Sequence, residues 1–77
     1  MSVENKQAIR DIICNVIEFD DFGENDRFAE DYGVDSMMIL ELVSKLEKEL
    51  HISIPEEYYA RMGSFAEVVE VVDEVSK

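Results

Sequence analysis

The sequence predicts an all-α protein: a small four-helix bundle with a long loop after the first helix and a short third helix. Three observations lead there. Apolar residues recur at helical spacing in three separate stretches, one proline and three glycines are the only such breaks in 77 residues, and no stretch alternates with the period of two that a half-buried strand needs. None of the stripes can be buried alone, so the helices must pack on one another as a single domain over residues 1–77.

In the first stretch, from Ser2 to about Glu18, Ile9, Ile12, Ile13, Val16 and Ile17 follow the i, i+3, i+4, i+7, i+8 rhythm of an amphipathic helix, with Ser2 as its N-cap. Periodicity then stops. Phe19 to Asp35 collects Asp20, Asp21, Gly23, Asn25, Asp26, Asp31 and Gly33, residues that accept positive φ or bond their own backbone, which marks a long acidic loop. A loop of that length in so short a domain needs anchors, and Phe22, Phe28 and Tyr32 supply them, with room for a short helical turn around Phe28.

The second helix is expected from Asp35 or Ser36 to about His51, because Ile39, Val43, Leu46 and Leu50 share one face. Pro55 biases Ile54 away from helical backbone, so Ile52 to Pro55 reads as an extended connector, and Glu56 to about Met62 leaves one or two turns before Gly63. The last helix has the clearest start. Ser64 and Glu67 form a capping pair, and positions 65, 68, 69, 72 and 75 make a helical stripe, where a strand would alternate.

Seven basic residues against nineteen acidic give a net charge of -12 and repel a polyanion, so nucleic acid is not expected as a partner. The longest apolar run, Met37–Leu40, is four residues where a spanning helix needs about 20, and no charged-then-apolar leader is read at the start. A soluble, cytoplasmic, monomeric protein that engages no membrane is therefore expected. One cysteine, Cys14, and one histidine, His51, exclude an internal disulfide and a structural zinc site. Cys14 reads as a partly buried thiol and His51 as a basic group near a helix C-terminus.

Catalysis finds little to work with. Ser36 and His51 lie near opposite ends of one helix, roughly 20 Å apart, so the histidine cannot serve the serine as a base. Aligning Gly23 with the sixth position of a calcium-binding EF-hand loop puts Phe22 at a ligand position and Ala29 where a bidentate glutamate is required, and the pattern fails.

Gly33-Val34-Asp35-Ser36-Met37 at the junction of loop and second helix is more informative. Asp-Ser at a helix start is ordinary capping chemistry. Yet Met37, Glu41, Ser44 and Lys48 fall on the side away from Ile39, Val43, Leu46 and Leu50, which leaves Met37 exposed. An exposed methionine beside a serine, rimmed by Glu41, Glu47, Glu56 and Glu57, suits docking of basic partners. A helix N-terminus also favours an attached phosphate. Ser36 thus reads either as a cap residue alone or as a hydroxyl modified by another enzyme.

At these residues the sequence resembles the acyl carrier protein family. The resemblance is carried by Phe28-Ala29-Glu30-Asp31-Tyr32-Gly33-Val34-Asp35-Ser36-Met37, by Glu41-Leu42-Val43 with Leu46-Glu47, and by Ile52-Ser53-Ile54-Pro55 followed by acids, and it covers essentially the whole chain. It implies that Ser36 carries 4'-phosphopantetheine from coenzyme A as a phosphodiester, that the arm's thiol holds acyl groups as thioesters, and that the protein itself catalyses nothing. It implies that Asp35 positions the helix start and the arm, and that Met37, Glu41, Glu47, Glu56 and Glu57 recognise partners. Those partners would be a phosphopantetheinyl transferase, an acyl- or aminoacyl-loading enzyme, and condensing and processing enzymes. Tyr32 stands where the family usually has leucine and Met38 where fatty acid carriers often have an acid, while Lys45 and Lys48 dilute the negative face. These departures favour a polyketide or related specialised pathway over fatty acid biosynthesis. An aminoacyl or peptidyl carrier shares the same motif, and an unmodified helical interaction module is the alternative from another class.

A core this small leaves only about 3–5 kcal/mol of net stability, and twelve net negative charges repel one another. Added sodium chloride is expected to raise the melting temperature in a circular-dichroism scan. A gain of about 1 kcal/mol corresponds to a rise of roughly 4–8 °C, and a salt-independent melting point would contradict this account.

Overall fold

The computed structural model describes residues 3–19 and 22–76. Helices α1 (Val3–Ile17), α2 (Phe28–Tyr32) and α3 (Ser36–Leu50) are followed by a 3-10 helix (Glu56–Arg61) and α4 (Phe65–Val75). The expected second helix is α3, and the long loop before it is interrupted by α2. Ser2, expected to cap α1, and the loop residues Asp20 and Asp21 lie outside the described residues.

Helix α1 packs on α3 and on α4, and the 3-10 helix packs on α4. Ile9, Ile13, Val16 and Ile17 are buried as their spacing predicts, while Ile12 is half-buried at the stripe's edge. On α3 the buried residues are Leu42, Val43 and Leu46. Ile39 and Leu50 belong to the stripe but lie in the first and last turns, where fewer neighbours cover them, and both are only half-buried. Leu42, about 60° around the helix from Ile39, takes the interior place instead. Helix α4 shows the same shift: Val71 is fully buried, whereas Val69 and Val75 are half-buried. Spacing alone located each stripe but not the centre of the arc that its neighbours cover.

The short third helix is 3-10 rather than α. Its bonds run over three residues, Tyr58 N–H to the Pro55 carbonyl at 3.0 Å and Met62 N–H to the Tyr59 carbonyl at 3.2 Å. Short connecting segments of this kind are where 3-10 geometry commonly occurs. None of the six is buried, so the buried Met62 that follows fastens the segment to the core. Ser64 caps α4 as expected, accepting from the Glu67 N–H at 3.4 Å. The glutamate reaches one residue further back than the usual reciprocal cap, accepting from the Gly63 N–H at 3.2 Å.

The loop after α1 is fastened by aromatic rings. Phe22 and Phe28 are buried and meet edge-to-face at 5.5 Å, and Phe22 lies 5.5 Å from Phe65 of α4. The Arg10 guanidinium stacks 4.7 Å from the Phe22 ring and 4.6 Å from the Phe65 ring, and its Nη1 donates to the Phe22 carbonyl at 3.0 Å. Two backbone bonds finish the attachment: Phe28 N–H to the Gly63 carbonyl at 2.9 Å, and Ala66 N–H to the Glu24 carbonyl at 3.0 Å. One side chain of α1 therefore joins the loop to α4.

Arg10→Met keeps the aliphatic stem and removes the cation and its donor. It is expected to lower the unfolding free energy by about 1–2 kcal/mol in urea titrations while the far-UV spectrum of the folded protein is retained. A midpoint unchanged from that of the parent would show that the stack contributes nothing.

Candidate functional site

Four consecutive residues build the entrance to α3. Gly33 ends α2 in the left-handed region at φ 68°, where any Cβ is strained, and its N–H bonds back to the Phe28 carbonyl. The Val34 N–H reaches the same carbonyl at 3.1 Å, and its side chain is buried, which anchors the turn in the core. Asp35 is extended and caps α3, its Oδ1 accepting from the Met38 N–H at 3.0 Å. Ser36 then opens the helix and is exposed. Turn, anchor, cap and hydroxyl follow in order, and the first two place the last.

Beside Ser36 lies an open, mainly apolar groove of about 570 Å³. Ala29 of α2, Ile39 and Leu40 of α3, and Tyr59 and Ala60 of the 3-10 helix line it, with Asp35 and Ser36 at its edge. Met37 points outward and is 78% exposed, as its position opposite the core stripe predicts. Leu40 is 53% exposed, and the sequence reading did not single it out. The signal was present, because four consecutive apolar residues, Met37 to Leu40, cannot all face one core from a helix.

The acidic residues divide. Glu41 is exposed one turn beyond Met37, and Glu56 and Glu57 are exposed in the first turn of the 3-10 helix. Glu47 is half-buried toward the far end of α3, where its Oε2 accepts from the Ile54 N–H at 2.8 Å and so holds the extended connector. His51 ends α3 at φ 56°, its N–H bonded to the Glu47 carbonyl. It lies fifteen positions after Ser36, about 22 Å of helical rise away. No helix among the described residues is long and apolar enough to cross a membrane.

Comparison with known proteins identifies the family. Residues 7–72 match the family described as "Phosphopantetheine attachment site". An acyl carrier protein of Zymomonas mobilis is 36% identical over 58 residues, covering 75% of this chain and 74% of that protein. An acyl carrier protein of Rickettsia bellii is 33% identical over 57 residues, covering 74% of this chain and 66% of its own length, just under two thirds. A "Polyketide-8 synthase acyl carrier protein 1" of Streptomyces avermitilis is 28% identical over 79 aligned positions, covering 100% of this chain and 94% of that protein. The chain belongs to the acyl carrier protein family, and its cofactor is covalently bound phosphopantetheine. The residues at the start of α3 fit that group: an exposed hydroxyl suits a phosphodiester, the unpaired N–H groups of a helix's first turn face a phosphate favourably, and an apolar groove runs alongside.

The segment leading into this entrance is fastened by a bond that the sequence did not reveal. The Tyr32 hydroxyl donates to Asp26 Oδ2 at 2.5 Å, the same oxygen accepts from the Gly23 N–H at 2.8 Å, and Phe19 packs edge-on against the Tyr32 ring at 4.7 Å. The bond to Asp26, together with partial burial and the charges of Asp26 and Asp31, pushes the Tyr32 phenol up to about 12. The bonds from Tyr32 and Gly23 hold the Asp26 carboxyl below its usual range. A raised phenol contributes stability that is whole below about pH 10 and is lost as pH rises through about 12. A depressed carboxyl contributes stability present above about pH 4 and lost as pH falls through its lower folded value.

In an absorbance titration at alkaline pH, one of the three tyrosines is expected to ionise near pH 12, and Tyr32→Phe removes that late step. The variant's deficit in melting temperature should hold steady through neutral pH and shrink above pH 10. A titration curve that Tyr32→Phe leaves without loss of a late step would contradict the lock.

Proposed function

We propose that Ser36 is the attachment residue and that this chain is a non-catalytic carrier, presented to a phosphopantetheinyl transferase and then to loading, condensing and processing enzymes. The observation that carries this reading is the exposed Ser36 hydroxyl at the first residue of α3, beside an apolar groove and immediately after the Asp35 cap. When attached, phosphopantetheine supplies a terminal thiol that holds an acyl group as a thioester.

The chain's own residues do the rest by position. Asp35 holds the first turn through the Met38 N–H and so sets where the Ser36 oxygen stands. Met37 gives an enzyme an apolar contact next to the hydroxyl, while Glu41, Glu56 and Glu57 attract basic side chains at its rim. Glu47 is half-buried and already accepts from the Ile54 N–H, so it offers a partner less than the exposed acids do. Exposed charges of this kind speed encounter without strong retention, which suits a carrier that must leave each enzyme. Tethering raises the effective concentration of cargo at each active site without new contacts. The carrier works as a cytoplasmic monomer. Met38, Lys45 and Lys48, with the end-to-end similarity to a polyketide carrier, favour polyketide or related specialised biosynthesis over fatty acid synthesis.

Incubation with coenzyme A and a broad-specificity phosphopantetheinyl transferase is expected to add one phosphopantetheine mass to the intact chain, and Ser36→Ala to abolish the addition. Asp35→Ala should be modified more slowly and lose about 0.5–2 kcal/mol of stability through the missing cap. A parent chain that stays unmodified would favour an interaction module in which Ser36 only opens the helix.

A further inference from the structure

The seven basic residues of this chain are not used alike. Arg10 is stacked between two phenylalanine rings, Arg27 pairs with Glu67 at 3.2 Å, and Arg61 pairs with Glu74 and lies 3.9 Å from Glu70. These three arginines serve the fold. Lys45 and Lys48 differ: among the described residues neither forms an ion pair within 4.0 Å, although Glu41 and Glu49 stand one turn to either side of Lys45.

Their place on α3 gives them a meaning. Met37, Glu41, Ser44 and Lys48 are spaced 4, 3 and 4 and are all exposed, so one continuous outward stripe starts beside Ser36 and ends at Lys48. Glu41, Ser44, Lys45, Lys48 and Glu49 line a shallow hollow of about 390 Å³. Lys45 also lines a second hollow with Asp11, Ile12 and Asn15 of α1. Along about 16 Å of helix the outward stripe therefore passes from apolar and acidic, at Met37, Leu40 and Glu41, to basic at the exposed Lys48, with the half-buried Lys45 and the exposed Glu49 on its flank. In a protein of net charge -12, a basic end to the stripe is a local reversal.

We infer that this stripe is a bipolar docking face, fitted by an enzyme that sets an apolar and basic surface against Met37, Leu40 and Glu41 and a carboxylate opposite Lys45 and Lys48. The inference rests on the proposal that Ser36 is the attachment residue, because that is what brings an enzyme to this helix. The overall negative charge draws basic enzymes of every kind to the chain. The two lysines then discriminate among them: an enzyme whose docking surface is basic throughout meets like charge at the distal end, and one with a matching carboxylate does not.

The test uses the full chain, its Lys45→Glu/Lys48→Glu variant and a Lys45→Gln/Lys48→Gln variant, with coenzyme A and a broad-specificity transferase whose carrier-docking surface is basic. A set of transferase variants, each with one surface Lys or Arg of that docking face replaced by Glu, is run alongside. Second-order rates are read from the mass of the intact chain at low and high salt. The charge-reversed chain is expected to react about two- to fivefold faster than the parent, the size of one exposed ion pair. The glutamine variant should fall between, at least one transferase variant should restore preference for the parent, and all differences should fade in high salt. Equal rates for the three chains at low salt, a faster parent with the basic transferase, or a preference undiminished by salt would each overturn the bipolar face. Failure of every chain to be modified would instead remove the Ser36 reading itself. The glutamine variant keeps the test decisive if the glutamate variant loses its helical spectrum.

Discussion

The long connection between α1 and α3 is the constraint on which the molecule depends, because it delivers Ser36 and carries few residues that could fold without help. It is held by contact with the bundle. Phe22 and Phe28 enter the core, Arg10 stacks on Phe22 and on Phe65 of α4, and backbone bonds join Phe28 to Gly63 and Ala66 to Glu24. These ties fix α2, and α2 in turn sets the direction from which the chain enters α3. With so little core to spare, positioning of the hydroxyl and stability of the fold draw on the same few side chains.

Much of this was legible in the sequence, and the reasons differ by residue. The Ser64 and Asp35 caps were legible because short polar side chains act on backbone two or three positions away, which is local information. The exposure of Met37 followed from helical geometry alone. Leu42 and Val71 were not placed inside, because the width and centre of a buried arc depend on which helices cover it. The 3-10 geometry after Pro55 was missed because a short helical segment reads alike in either form. The contacts of Arg10 with Phe22 and Phe65, and of Tyr32 with Asp26, join residues that only the folded chain brings together, and no spacing rule announces them.

The charges show a comparable division between fold and surface. Arginines serve the fold: the half-buried Arg10 stacks on rings, and the exposed Arg27 and Arg61 pair with carboxylates of α4, where a planar guanidinium has an advantage over an ammonium. Lys48 stays on the outer side of α3, and Lys45 lies half-buried on its flank toward α1. Among the acids, Glu47 and Glu67 hold backbone N–H groups, whereas Glu41, Glu56 and Glu57 face solvent. Residue type and net charge alone would not have separated these roles. The hydrogen bonds do.

The burial of Val34 has a mechanical side. Two residues before the exposed hydroxyl, the backbone is plugged into the interior, and one residue before it a carboxylate clamps the helix start. A sideways pull at residue 36 is therefore borne close to where it is applied, by a wedged isopropyl group and a single clamp. On the proposed attachment at Ser36, an arm fastened there would have its anchor in the core two residues away, with the bundle as its mount.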